Sequence, residues 1–337
     1  MTTNPPSAPL LEVEDLVKHF EVGGGLLSGP AGVVRAVDGV SFRLDREQTL
    51  GIVGESGCGK STLARTLLRL ETPNAGRVRF EGQDIFVADR DASRALNRRI
   101  QVVFQDPFAA LSPRMTIFDV LTEPLRIHPD VLPRARWGDR VHELLGRVGL
   151  RPEFATRFAH EFSGGQLQRI GIARALVLEP ELIILDEPVS ALDVSIQAQV
   201  INLLEEVQES FGVAYICISH DLSVIRHIAD RIAVMYLGEI VEFGDCETVY
   251  EHPSHPYTRA LLSAEPEIDL EREHKAQVLL KGEIPSPLDP PSGCRFRNRC
   301  WKARERCLEP PPPVVTGPGD RSARCHFPVE PGEDLPA

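Results

Sequence analysis

An α/β protein with a parallel-sheet core is predicted for this 337-residue chain, and three observations carry the prediction. Short, near-continuous apolar runs (Leu182–Leu185, Ala214–Ser219, Arg231–Tyr236) alternate with helical stretches. That pattern belongs to strands buried on both faces under covering helices. The first eighty residues read differently, as short strands separated by turn residues. Between these regions a glycine-rich turn, "GESGCGKST" at Gly54–Thr62, joins an apolar strand to a helix.

In chain order, strands are expected at Leu10–Val17, Arg35–Leu44, Thr49–Val53 and Arg77–Phe80, with turns at 22–25 and 28–32. A helix follows from Lys60 to about Leu70, then a strand at Ile100–Phe104. From about 106 to 180 the periodicity is helical. Val141, Leu144, Leu145 and Val148 share one face at the i, i+3, i+4, i+7 spacing, and a second helix runs from about Gly165 until Pro180 ends it. Helices are also expected over about 194–210 and 221–229. Of the 28 prolines, 12 fall within 285–337, so the end of the chain is expected to be loop-dominated.

The formal net charge of −12 argues against a protein whose main task is coating nucleic-acid phosphates. The longest apolar runs fall far short of the ~18–20 residues that cross a bilayer. The opening "MTTNPPSAPLLEVEDL" has no basic stretch followed by an apolar one, so a cytosolic protein is expected. In that compartment clustered cysteines suggest metal more than disulfides.

The glycine-rich turn fits G-x-x-x-x-G-K-[ST], with Gly54, Gly59, Lys60 and Ser61 at the fixed positions. Glycines let successive amides point inward around phosphates, and the following helix adds its positive end. Lys60 is expected to reach the β- and γ-phosphates and Ser61 to hold Mg²⁺. A glycine turn that binds nothing is the bland alternative; four matching positions between a strand and a helix weigh against it. "LIILDEP" (182–188) is an apolar strand ending in two carboxylates, Asp186 placed for Mg²⁺ and Glu187 for taking a proton from water. "FSGGQLQR" (162–169) sets Ser163, Gly164 and Gly165 before a helix, a second anion-binding terminus. "ISHDL" (218–222) places His220 directly after a strand.

Four of the seven cysteines, Cys294, Cys300, Cys307 and Cys325, lie in the tail with C-x5-C-x6-C-x17-C spacing. By ligand chemistry alone they suit zinc, an iron–sulfur cluster or free thiols, and the wide spacing disfavours zinc. Residues 294–325 carry a net charge of +5, eight Lys or Arg against three Asp or Glu. Such a stretch suits headgroups, a partner or nucleic acid, and equally a solvated surface.

Together and in this order, the motifs resemble the ATP-binding-cassette (ABC) ATPases over roughly residues 10–265. The resemblance implies an ABC-type P-loop NTPase with a parallel-sheet core, an N-terminal antiparallel β-subdomain and a helical subdomain at about 106–180. A loop-rich cysteine extension at 266–337 completes it. It implies that Phe20 stacks on adenine and that Gly54, Glu55, Ser56, Gly57, Cys58, Gly59, Lys60, Ser61 and Thr62 enclose the phosphates. Gln105 would sense Mg²⁺ and the γ-phosphate, and Asp186 and Glu187 would be metal partner and general base. Ser163, Gly164, Gly165 and Gln166 form the signature that acts on a partner's ATP, the loop "SALD" ending at Asp193 joins the two sites, and His220 is the switch. Phe162 stands where the commonest signature begins with leucine.

More specifically, the opening segment, "VFQDPFAALSPRMT", "EFSGGQLQR" and "HPSHPYTRALLSA" are similar to oligopeptide and dipeptide importer ATPases, most of all their F-type subunit. That implies ATP and Mg²⁺ as cofactors and a [4Fe-4S] cluster on the four tail cysteines, although Trp301 replaces a common proline. The implied partners are a sister ATPase forming a heterodimer, two membrane permeases and an extracytoplasmic peptide-binding protein, with no nucleic acid. The implied location is the cytoplasmic face of the cell membrane. Phe108, Leu111 and Met115 would suit a docking groove for a permease helix if exposed. "HPSHPYTRALL" (252–262) has no catalytic logic of its own and reads as a linker with exposed histidines. A soluble ABC ATPase acting on nucleic acid or ribosomes is the competing reading. It expects a long coiled coil or two cassettes, and this chain has one cassette with room only for a compact helical subdomain. Nickel, glutathione and antimicrobial-peptide systems use closely similar ATPases.

Overall fold

The computed structural model describes residues 8–23, 32–87, 89–264, 278, 280, 282–309, 314–316, 321–330 and 332–333. Most of the predicted turn at 28–32 and the start of the extension, 266–277, lie outside them. The elements begin with β1 (Leu11–Val22), β2 (Gly32–Leu44), β3 (Thr49–Val53), α1 (Lys60–Leu67), β4 (Ala75–Phe80) and β5 (Gln83–Asp84). They continue with α2 (Arg90–Arg99), β6 (Ile100–Val103), α3 (Pro107–Ala110), α4 (Ile117–Ile127), α5 (Trp137–Arg147) and α6 (Gly164–Leu176). Next come β7 (Leu182–Asp186), α7 (Val194–Phe211), β8 (Ala214–Ile218), α8 (Leu222–Ile228), β9 (Arg231–Tyr236) and β10 (Glu239–Asp245). The last are α9 (Cys246–Glu251), α10 (Pro256–Ser263), β11 (Val314–Thr316) and β12 (Ser322–Arg324). The chain divides into two compact units. One holds Leu44–Thr49 and Phe80–Ser219, and the other Leu11–Arg43, Leu50–Arg79 and the chain from His220 onward.

In the first unit β6, β7 and β8 run parallel, with Ile100 opposite Leu182 and Leu182 opposite Ala214. Every residue of β8 and the first four of β7 are buried, which is why these strands show no polar alternation. Around them, α6 packs against α3, α4, α5 and α7. The predicted face of α5 is buried as expected: Val141, Leu144 and Leu145 are covered, as is Val148 just beyond its end. α4 starts where Thr116 Oγ1 accepts the Asp119 amide, and α7 stops at Gly212, whose left-handed φ of 62° suits glycine. Arg46 and Arg99 each pair with both Glu81 and Glu181. All four are part-exposed, so this ring orders the surface more than it adds stability.

In the second unit β2, β1 and β4 are neighbours in one sheet, and β3 pairs in parallel with β9, Leu50 opposite Arg231. β9 and β10 are joined by a tight turn at Leu237 and Gly238 (φ 44° and 83°), so they can pair only antiparallel. β12 then pairs antiparallel with β10, and β11 with β12. The core is therefore mixed: β10, β12 and β11 are antiparallel additions to the predicted parallel arrangement.

The segment read as a linker is structured. His252 is exposed but His255 is 1% exposed and caps α10, its Nδ1 accepting the Tyr257 amide at 3.1 Å. Burial pulls the His255 pKa down to about 3. An unfolded histidine takes up its proton near 6.5, so between those values the unfolded chain binds more protons. Stability from this residue is thus present above the unfolded pKa and drains away, by about 1.4 kcal/mol per pH unit, as pH falls. Glu242 lies beside it, accepting the Ser254 and His255 amides, and its burial raises its pKa, which works in the opposite sense as it protonates. The difference in unfolding free energy between wild type and His255→Gln isolates the histidine. Measured by urea denaturation, it should shrink by about 1 kcal/mol per unit between pH 6 and pH 4. A pH-independent difference would reject the assignment.

Candidate functional site

The second unit carries the phosphate loop. Gly54, Gly57 and Gly59 have φ of 153°, 78° and 113°, which side chains rarely adopt. At Gly54 a Cβ would lie 2.2 Å from Met235 O, and at Gly59 2.0 Å from Ala36 O, so these two positions exclude any side chain. α1 begins at Lys60 with no side-chain cap, which leaves its first amides to whatever the loop encloses. Lys60 is 5% exposed, and its Nζ donates to Gly54 O at 2.6 Å and Glu55 O at 3.1 Å. Ser56, Gly57 and Ser61 are exposed, Thr62 is half-buried and Cys58 is buried, with burial raising its thiol pKa.

Two residues outside every predicted catalytic motif hold this loop. The Glu55 amide donates to the Tyr257 hydroxyl at 2.9 Å, and both Arg299 Nη atoms donate to the Glu55 carboxylate at 2.6 and 2.9 Å. Elsewhere in the same unit Phe20 is half-buried on β1, with Lys18 Nζ 4.8 Å from its ring centre, so its face accepts positive charge. His220 is exposed, and Asp221 beside it caps α8.

The first unit carries the carboxylates and the signature. Asp186 ends β7, half-buried. Glu187 follows with a left-handed φ of 50°, its amide donating to Ile218 O at 2.9 Å. Gln105 Nε2 donates to Glu187 Oε2 at 2.8 Å, so two residues 82 apart in sequence meet. Ser163 caps α6 in a reciprocal box: its Oγ accepts the Gln166 amide at 3.4 Å, and Gln166 Oε1 accepts the Ser163 amide at 3.1 Å. A Cβ at Gly165 would lie 2.5 Å from Ile196 Cγ2, so glycine is what lets α6 approach α7 there. Gly164 starts α6, and Asp193 is exposed at the start of α7. Phe162 is buried, edge-on to Phe154 at 5.4 Å, a packing role that leucine could share. Of the docking residues expected from sequence, Phe108 is exposed, Met115 is half-buried, and Leu111 is buried within the unit and so cannot face a partner.

The cysteine expectation is corrected. Cys294, Cys300, Cys307 and Cys325 are free thiols. Among the described residues no group of three or more His, Cys, Asp or Glu side chains is arranged to hold a metal ion. Burial pushes the Cys300 and Cys325 thiols up to about 12. Among the described residues the tail therefore supplies no [4Fe-4S] site. Arg295, Phe296 and Arg299, between these cysteines, engage the rest of the unit.

The ABC transporter family model matches residues 37–190, and that of the oligopeptide/dipeptide transporter C-terminal region matches 241–307. The chain is 53% identical over 320 residues to oligopeptide transport ATP-binding protein AppF of Bacillus subtilis (strain 168), covering 94% of this chain and 97% of that one. It is 52% identical to the oligopeptide transport ATP-binding protein OppF of Salmonella typhimurium, covering 94% and 95%. Among solved structures, the ATP-binding cassette MJ0796, a dimer in a post-hydrolysis state bound to ADP and Pi, superposes with a TM-score of 0.60 at 26% identity. It covers 70% of this chain and 98% of its own. The fold and motifs thus define an ABC-type ATPase. Within that class, the chain belongs to the ATP-binding subunits of oligopeptide/dipeptide ABC transporters. Among the described residues no helix is long and apolar enough to cross a membrane.

Proposed function

We propose that this chain is the F-type ATPase subunit of an oligopeptide or dipeptide importer, working at the cytoplasmic face of the membrane. Its partners are a sister cassette, two permeases and an extracytoplasmic binding protein. The observation that carries the reading is the match at 241–307. The cassette of MJ0796 accounts for 70% of this chain, and the importer-type region extends beyond a general cassette. Residues 10–265 act as the ATPase domain and 266–337 as the extension.

In this reading Phe20 stacks on adenine, and the amides of Gly54–Thr62 receive the phosphates. Bound Mg²⁺ supplies positive charge that offsets the β- and γ-phosphates. Ser61, Asp186 and Gln105 would hold that ion. Lys60 pairs with the β- and γ-phosphates, Glu187 accepts the proton of the attacking water, and His220 contacts the γ-phosphate. Ser163, Gly164, Gly165 and Gln166 face the nucleotide of the partner cassette, and the loop ending at Asp193 links the two sites.

Gentle purification of the tagged protein from detergent-solubilised membranes, followed by mass spectrometry, tests the assembly. Two polytopic permeases and a second cassette are the expected companions. Recovery only in the soluble fraction with ribosomal or nucleic-acid partners would overturn the transport reading.

A further inference from the structure

The phosphate loop is gripped from behind by side chains that belong to no catalytic motif. The peptide joining Gly54 to Glu55 is held at both edges: its N–H donates to the Tyr257 hydroxyl at 2.9 Å, and its carbonyl accepts Lys60 Nζ at 2.6 Å. That peptide is trans, so its N–H and C=O point in opposite directions. Fixing the N–H on Tyr257 therefore fixes the direction from which Gly54 O meets Lys60.

Tyr257 is well placed to do this. It is fully buried in the first turn of α10, with its ring 4.7 Å from that of Tyr236 and 5.4 Å from that of Phe296. Burial also raises its pKa, keeping the hydroxyl neutral. The Glu55 side chain is held independently by the two-pronged contact from Arg299. Arg295, four residues earlier, donates to Leu237 O, and the adjoining Gly238 amide donates to Cys58 O at 2.8 Å. The loop is thus tied at Glu55 and at Cys58 to the region that follows the catalytic motifs.

We infer that Tyr257 and Arg299 are positioning residues for the phosphate loop, setting the Gly54–Glu55 peptide and, through it, the place from which Lys60 meets the β- and γ-phosphates. The inference rests on the nucleotide-binding reading above. Both residues act through Glu55 and Lys60, and their effect should fall on nucleotides that carry a β-phosphate.

The test uses the full chain, with MgATP and AMP titrated by calorimetry. Tyr257→Phe keeps the ring and removes the acceptor. It should weaken MgATP about tenfold, equivalent to about 1.4 kcal/mol, and leave AMP within twofold. Arg299→Gln should act in the same direction, with Arg299→Lys recovering part of the loss. In a Lys60→Ala background Tyr257→Phe should add little, because the two share one route. Thermal melts confirm that each variant is folded, and Arg299→Gln carries the test if Tyr257→Phe is not. MgATP affinity within twofold of wild type in the folded variants would overturn the inference. An equal loss for AMP and MgATP would also overturn it, showing a merely structural role. If the unsubstituted chain binds no MgATP, the ATPase reading itself fails and takes this inference with it.

Discussion

Glu187→Gln should bind MgATP with near wild-type affinity and hydrolyse it at least about 10²-fold more slowly, the span a positioned general base contributes. The substitution keeps the size and the planar end group but removes the basic oxygen. Glu187 is held by its backbone, with a left-handed φ and an amide bonded to Ile218 O, so the side chain should leave from the same place in the variant. Its Oε2 accepts from Gln105 Nε2, and the amide oxygen of a glutamine can accept that same bond. Ground-state contacts therefore survive while proton acceptance does not, so kcat falls without a matching loss of binding. Single-turnover phosphate release, read alongside equilibrium binding, checks this. Turnover within threefold of wild type would remove Glu187 from the general-base role.

Lys60→Ala should weaken MgATP about 10–100-fold, the scale of one or two hydrogen bonds to a charged group. The lysine is 5% exposed and rests on Gly54 O and Glu55 O, so its ammonium group is already held in the loop by carbonyls that alanine cannot reach. Lysine in this place interacts with ground state and transition state alike, which predicts a larger change in KM than in kcat. Lys60→Arg should not rescue, because a wide planar guanidinium does not fit where a compact ammonium is enclosed. Unchanged MgATP binding by Lys60→Ala, measured calorimetrically, would contradict the role.

Much of the fold was legible where chemistry repeats locally. β7 and β8 announced themselves as unbroken apolar runs because both faces are covered, and α5 because one of its faces is. The phosphate loop was readable from fixed spacing alone, since backbone approach at Gly54 and Gly59 allows no other residue. α2 was missed for the converse reason: only Leu96 of its ten residues is buried, so it has no apolar stripe to detect. β1 runs on to Val22 through the polar residues His19 and Glu21, which made it look shorter. Tyr257 and Arg299 were invisible as site residues because they meet Glu55 across 202 and 244 positions, a separation that no local pattern encodes. The tail thiols failed in a different way. Four cysteines in one stretch do not by themselves make a metal site, and here no metal-holding group forms among the described residues.

β12 lies along β10, with Ala323 opposite Glu242 and Ser322 opposite Phe243. A chain shortened before residue 280 would keep every ATP motif and yet lose that neighbour, along with Phe296, which packs on Tyr236 and Tyr257. The result would be a row of unmet backbone donors and acceptors beside a bared aromatic cluster, a template for strand addition by another molecule. The proline-rich end of this protein thus doubles as its guard against self-association, and preparations trimmed to the nucleotide motifs alone should be sticky for reasons unrelated to ATP.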